Sequence, residues 1–155
     1  LTVARSEVAD SVRGATISTF GGNPIATTAA KAVIDFIEEN NLRINAAEVG
    51  AHLRARLEEL KLKHSLIGDV RGMGLMQAIE LVRDPVSNEP ASRETLAIME
   101  AARERGVLVG KGGLHGNVLR CTPPLNIAKS DVDHFVTVLD EAFVSAAAAV
   151  ASVRA

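Results

Sequence analysis

Tryptophan and tyrosine are absent from these 155 residues, phenylalanine occurs four times and cysteine once. The single thiol, Cys121, excludes an intrachain disulfide and suits a reducing compartment, so a cytoplasmic location is the expectation. With so few rings, no basic run and a formal charge of −2 from 17 basic and 19 acidic side chains, the chain lacks what nucleic-acid binding requires. The most apolar late stretch, residues 142–150, is far shorter than the roughly 20 residues a spanning helix needs, so no membrane partner is expected. The opening residues Leu1-Thr2-Val3-Ala4-Arg5 show no charged leader followed by an apolar core. A first residue of Leu suggests a fragment or a processed product. His52, His64, His115 and His134 lack metal-ligand spacing, and one cysteine cannot complete a site, so no metal is expected.

What is present is a chain able to bury roughly two-thirds of its unfolded surface, the size of one domain. Leu1 to Ala4 reads as the end of a strand and Glu7 to Val12 as a short helix or turn. From Pro24, Ala26, Ala29, Ala30, Val33, Ile34 and Ile37 recur at helical spacing. Asn45, with Glu48 three residues on, reads as the cap of a second helix whose stripe is Val49, Leu53, Leu57 and Leu60. Ile67 to Arg71 and Leu75 to Val82 read as short strands joined through Gly72 and Gly74. Ser92 reads as the cap of a helix with Leu96, Met99 and Ala102 on one side, stopped by Gly106. Val107 to Val109 reads as strand, Gly110 to Gly116 as a glycine-rich loop, and Val118 to Cys121 as a strand ended by Pro123-Pro124. A last helix carries Val132, Phe135, Val136, Leu139, Ala142, Phe143, Ala146 and Ala147, with Ser130 and Asp133 as its capping pair. There are no internal repeats. The implied fold class is α+β, a two-layer sandwich of helices on a small, largely antiparallel sheet.

Ser18-Thr19-Phe20-Gly21-Gly22-Asn23-Pro24 reads as a helix start suited to an anion. Asn23 is a good N-cap, Pro24 suits the first helical position, and Gly21 and Gly22 let backbone amides approach a ligand. The helix end offers about half a positive charge, and the Thr19 hydroxyl adds a donor. Such residues also start ordinary helices, so the string alone reads as a capped loop. Arg120 shares a strand face with Val118, away from Leu119 and Cys121. A guanidinium there can fork onto a carboxylate, or can be a solvated cation at a strand end.

Thr19-Phe20-Gly21-Gly22-Asn23-Pro24 before an Ala-rich helix resembles the matching segment of class III aminotransferases, which use pyridoxal phosphate. Val70-Arg71-Gly72-Met73-Gly74-Leu75 leading to Ile79-Glu80-Leu81 is similar to a strand pair of that family. Gly116-Asn117-Val118-Leu119-Arg120 with Thr122-Pro123-Pro124-Leu125 resembles its late strand and turn. The matches run in order from about Leu1 to Phe143. The resemblance implies the C-terminal small domain of a fold-type I enzyme over 41–155, preceded by the end of the large domain and a connecting helix over 1–40. It implies a homodimer acting on amino-acid and 2-oxo-acid substrates.

It further implies that Thr19 contacts the cofactor phosphate across the dimer interface, with Gly21 and Gly22 shaping the backbone around it. It implies that Arg120 faces the substrate carboxylate or an active-site Glu. The Gly110-Lys111-Gly112-Gly113 segment looks close to enzymes using 4-aminobutyrate or alanine and glyoxylate, with other ω-amino donors open. Lys111, His115 and Asn117 read as mostly structural, and Arg71 as support for a turn or ion pair. Pyridoxal phosphate chemistry needs a Schiff-base lysine and usually an acidic partner for the pyridine nitrogen. Lys31, Lys61, Lys63, Lys111 and Lys129 stand in none of the family's contexts for that lysine, whose place in the family would precede Leu1. No catalytic residue is therefore expected within these residues, and the chain alone is expected to be inactive. The other reading is a non-catalytic α+β module that binds an anion or dimerises.

Overall fold

The computed structural model describes residues 4–14 and 17–153, with side-chain surroundings described as far as Ala146. Of the strand end expected at Leu1 to Ala4, only Ala4 lies within the described residues, and it is in neither helix nor strand. The chain divides into two units, Leu1–Asn40 and Asn41–Ala155.

The first unit holds α1 (Ser6–Ala9) and α2 (Pro24–Glu39). Asn23 caps α2 as its sequence suggests. Its Oδ1 accepts from the Ala26 amide at 2.9 Å, and its Nδ2 donates to the Phe20 carbonyl at 2.7 Å. The apolar stripe of α2 is present but none of its residues is buried, and Ile25, Val33 and Phe36 are exposed.

The second unit holds α3 (Leu42–Lys63), β1 (Ile67–Met73), β2 (Met76–Leu81), α4 (Ser92–Glu104), β3 (Gly110–Gly112), β4 (Val118–Cys121) and α5 (Lys129–Val153). The strands form one sheet in the order β1-β2-β4-β3, antiparallel throughout. Helices α3 and α4 lie against it and α5 packs along both, giving the α+β layering. Val70, Ile79, Leu81, Leu119 and Cys121 project from the covered face into a core with Leu53, Leu57, Ile98, Val132 and Leu139. Each fully buried aliphatic side chain contributes roughly 1.5–3 kcal/mol before conformational entropy is counted. A bulge between Ile67 and Asp69 resets the alternation of β1, so Ile67 and Val70 both face inward.

Several boundaries differ from the sequence reading for tertiary reasons. α3 begins at Leu42, after Asn41 in the left-handed region at φ 53°. Asn45 is therefore inside the helix, where its Nδ2 donates to the carbonyls of Leu125 at 2.7 Å and Ile127 at 3.1 Å. Ser92 is the first residue of α4 and caps nothing; its hydroxyl donates to the His115 carbonyl at 2.6 Å. The buried side of α4 is Thr95, Ile98, Ala101 and Ala102, with Leu96 exposed. Residues 107–109, expected as strand, lie in neither helix nor strand; the Val107 amide donates to the Ala102 carbonyl at 3.0 Å, and the ladder starts at Gly110. At the head of α5 the Ala128 amide donates to Asp131 at 3.1 Å, whereas Asp133 meets His52 at 2.9 Å.

Two further links tie elements together. Arg83, just past β2, forks onto the buried Glu94 of α4 at 2.9 and 3.2 Å. Asp140 of α5 accepts from Lys63 at 2.6 Å and pairs with the His64 ring, also at 2.6 Å. That ring stacks on Phe143 with centroids 4.8 Å apart. Among the described residues, no helix is long and apolar enough to cross a membrane.

Candidate functional site

The helices of the second unit cover one face of its sheet and leave the other bare. Direct partners across an antiparallel ladder project to the same side. The registers therefore put Asp69, Arg71, Ala78, Glu80, Gly110, Gly112, Val118 and Arg120 together on the bare face.

Two arginines on this face are treated differently. Arg71 donates to Asp69 at 3.0 Å and to Glu80 at 2.5 Å, and these carboxylates, Asp69 first, raise its pKa above the ordinary arginine value. It is a structural ion pair, as its turn context implies. Arg120, one strand beyond β2, is exposed and has no carboxylate partner among the described residues. An unneutralised guanidinium on a preformed sheet is ready for an external anion, because no internal pair must break first.

Beside Arg120 lies a cavity of about 320 Å³ lined by Leu53, Leu108, Ile127, Val132 and Phe135. Its position follows from the turn after β4, where Pro123 and Pro124 end the strand and Asn45 holds the carbonyls beyond them. A cation next to an apolar cavity suits a small carboxylate on a short carbon chain. Cys121 also borders this cavity, but burial pushes its thiol up to about 12, so it is not a nucleophile near neutral pH.

The loop before α2, in the first unit, contains the other residues singled out by sequence. The Ser18 hydroxyl accepts from the Gly21 amide at 3.0 Å and closes the turn. A Cβ at Gly21 would lie 2.6 Å from that oxygen, so the glycine serves the turn. Gly22 sits at φ 76° with open space where a Cβ would be. Among the described residues, no hydrogen bond within the chain engages the Thr19 hydroxyl or the amides of Phe20 and Gly22. Residues 17–34 contain no Asp or Glu, so this segment itself carries no charge that repels an anion.

Other candidates are structural. His115 is exposed and serves through its backbone carbonyl, and Asn117 is buried, with its amide donating to the Leu81 carbonyl at 2.9 Å. Lys111 lies in β3, not in a loop. The flanking glycines mask the strand in the sequence, and the three-residue register of Gly110, Lys111 and Gly112 with Arg120, Leu119 and Val118 defines it. Among the described residues, no cluster of three His, Cys, Asp or Glu can hold a metal ion.

Residues 1–143 match the family profile described as "Aminotransferase class-III". The chain is 53% identical over 123 residues, 79% of its length, to the alanine–glyoxylate aminotransferase 2 homolog 2, mitochondrial, of Arabidopsis thaliana, and covers 26% of that protein. It is 37% identical over 140 residues, 90% of its length, to the alanine/serine racemase of Pyrococcus horikoshii, of which it covers 29%. Among solved structures it resembles an amine transaminase from an uncultivated Pseudomonas species in its pyridoxal-phosphate-bound form. That likeness has a TM-score of 0.78 at 35% identity, over 90% of this chain and 33% of that one. The chain thus spans between a quarter and a third of the length of these relatives.

Proposed function

This chain belongs to the class III aminotransferases, a pyridoxal-phosphate-dependent family, and on that premise we propose that it supplies the C-terminal part of an enzyme moving an amino group from alanine to glyoxylate. Residues 41–155 are the small domain in this reading, and residues 1–40 the end of the large domain with its connecting helix. The donor and acceptor follow the name of the Arabidopsis relative; 4-aminobutyrate and other ω-amino donors are the next substrates to try. The observation that carries the reading is Arg120, an exposed guanidinium with no carboxylate partner among the described residues, on a bare sheet face beside an apolar cavity.

The residues before α2 fit the cofactor's phosphate. Among the described residues they offer an unengaged hydroxyl, two unengaged amides and a helix N-terminus, with no Asp or Glu in residues 17–34. Thr19 donates its hydroxyl hydrogen to a phosphate oxygen and Gly22 its amide, while Gly21 fixes the turn. In the homodimer the phosphate so held is that of the second copy. When bound, pyridoxal phosphate supplies the electron sink and the carbonyl group that carries the amino nitrogen.

Arg120 holds the substrate carboxylate by two parallel N–H···O bonds, which fixes the orientation of the carbon that bears the amine. Glyoxylate presents the same carboxylate and uses the same ligand in the second half of the exchange. The lysine this chemistry needs belongs to another part of the protein. Lys31 and Lys63 are tied to Asp35 and Asp140; in this reading the 155 residues alone do not turn over.

The test is product analysis with the full-length protein. L-alanine and glyoxylate should give pyruvate and glycine in equal amounts. D-alanine formed from L-alanine without any oxo acid would favour the racemase named for the Pyrococcus relative. No amino-group chemistry with any oxo acid would leave a non-catalytic anion-binding or dimerisation module.

A further inference from the structure

The route of the Arg120 side chain depends on what β3 lacks. Across the ladder, Gly110 stands opposite Arg120 and Gly112 opposite Val118. A Cβ built on Gly112 would lie 2.9 Å from Arg120 Cδ and 3.4 Å from its Cγ. The aliphatic stem therefore leans along β3 and passes over Gly112. A Cβ on Gly110 would lie 3.4 Å from Arg120 Cβ, an ordinary contact. Gly112 has no left-handed φ, unlike Gly113 at 82° and Gly116 at 64°, so its backbone accepts any residue. Close packing explains the glycine, and the group packed against it is the stem of Arg120.

We propose that Gly112 is a positioning residue for carboxylate binding: its missing side chain leaves the channel along β3 that directs the Arg120 guanidinium. The proposal rests on the reading of Arg120 as the substrate-carboxylate ligand. A methyl group at 112 meets the middle of a flexible side chain and no backbone, so Arg120 yields and the sheet does not. Arg120 is then driven into another rotamer, and its fork no longer meets both carboxylate oxygens. A methyl group at 110 leaves the channel open.

The experiment uses the full-length enzyme with Gly112→Ala, Gly110→Ala, Arg120→Ala and the double variant Gly112→Ala/Arg120→Ala. Steady-state kinetics with L-alanine and glyoxylate are paired with a crystal structure of Gly112→Ala. The expected result for Gly112→Ala is a KM raised roughly tenfold with kcat little changed, and a displaced Arg120 guanidinium on an unaltered sheet. Gly110→Ala should change KM less than about twofold, and Gly112→Ala should add nothing once Arg120 is alanine. An unmoved Arg120, an equal effect of Gly110→Ala, or an undiminished effect in the Arg120→Ala background would each overturn the proposal. If Arg120→Ala alone leaves KM unchanged, the carboxylate reading fails first and takes the proposal with it. If Arg120→Ala raises KM and Gly112→Ala does not, only the positioning role fails.

Discussion

Gly50→Ala sets two well-understood effects against each other, and the structure decides the sign. Gly50 lies in the interior of α3, where replacing glycine by alanine gains about 1 kcal/mol of helix propensity. It is also buried against the β1–β2 turn. A Cβ there would lie 2.2 Å from the Gly74 carbonyl carbon, 2.5 Å from its oxygen and 2.6 Å from its Cα. Both sides of the contact are backbone, so no side chain can swing away. Relief requires α3 and the hairpin to part by roughly 1 Å, and with only backbone to yield the overpacking falls in the upper part of its usual range, about 2–3 kcal/mol. Gly74 sits at φ 52°, which limits how far the turn can be rebuilt. We expect a net destabilisation of about 1–2 kcal/mol, a fall in Tm of about 2–8 °C at this chain length. Urea unfolding followed by far-ultraviolet circular dichroism reads it as a lower midpoint at unchanged slope. The exposed neighbour calibrates the propensity term: Ala51→Gly should cost about 1 kcal/mol without touching the turn. A Gly50→Ala protein more stable than wild type would refute the close approach of α3 to the hairpin.

Three further outcomes are expected. Lys63, and after it His64, hold the Asp140 carboxyl below the usual 3.8. The stability this provides is present above 3.8 and is lost as pH falls below it. Asp140→Asn should then cost about 1 kcal/mol near neutral pH, with the difference from wild type closing in acid; a gap that persists to the lowest pH would contradict the pairing. Thr19→Val in the full-length enzyme should weaken pyridoxal phosphate retention, read by dialysis and absorbance, and leave Tm of the cofactor-free protein unchanged; equal retention would remove Thr19 from the phosphate site. Because burial pushes the Cys121 thiol up to about 12, native protein should resist iodoacetamide at neutral pH and react once unfolded. Rapid native labelling would place that strand end at the surface.

Sequence exposed the parts of the fold governed by short-range rules. The stripe of Leu53, Leu57 and Leu60, the Asn23 cap and the β1–β2 hairpin each follow from spacing or local hydrogen bonding, and the structure shows all three. Asn45 and Ser92 looked like caps because their side chains suit that role, yet each serves a carbonyl far along the chain, at Leu125 and His115. No local pattern records such a partner. β3 was hidden for a related reason: Gly-Lys-Gly has little strand propensity and is ordered by its ladder with β4. The bare sheet face was legible only in part. Alternation gives Arg120 its side, but the pairing of Arg71 rests on Asp69 and on Glu80, which only the β1–β2 register brings within reach, whereas Arg120 has no carboxylate partner among the described residues. Thr19, Gly21 and Gly22 stand out in a short motif, but no motif tells that the Gly21 amide is used inside the turn by Ser18 while the Thr19 hydroxyl has no partner among the described residues.

The most direct measurement is the kinetics of Arg120→Lys in the full-length enzyme with L-alanine and glyoxylate. Lysine keeps the charge and removes the two-point fork, so KM for both substrates should rise about tenfold while Tm stays unchanged. Unaltered KM values would contradict the claim that this guanidinium holds the substrate carboxylate.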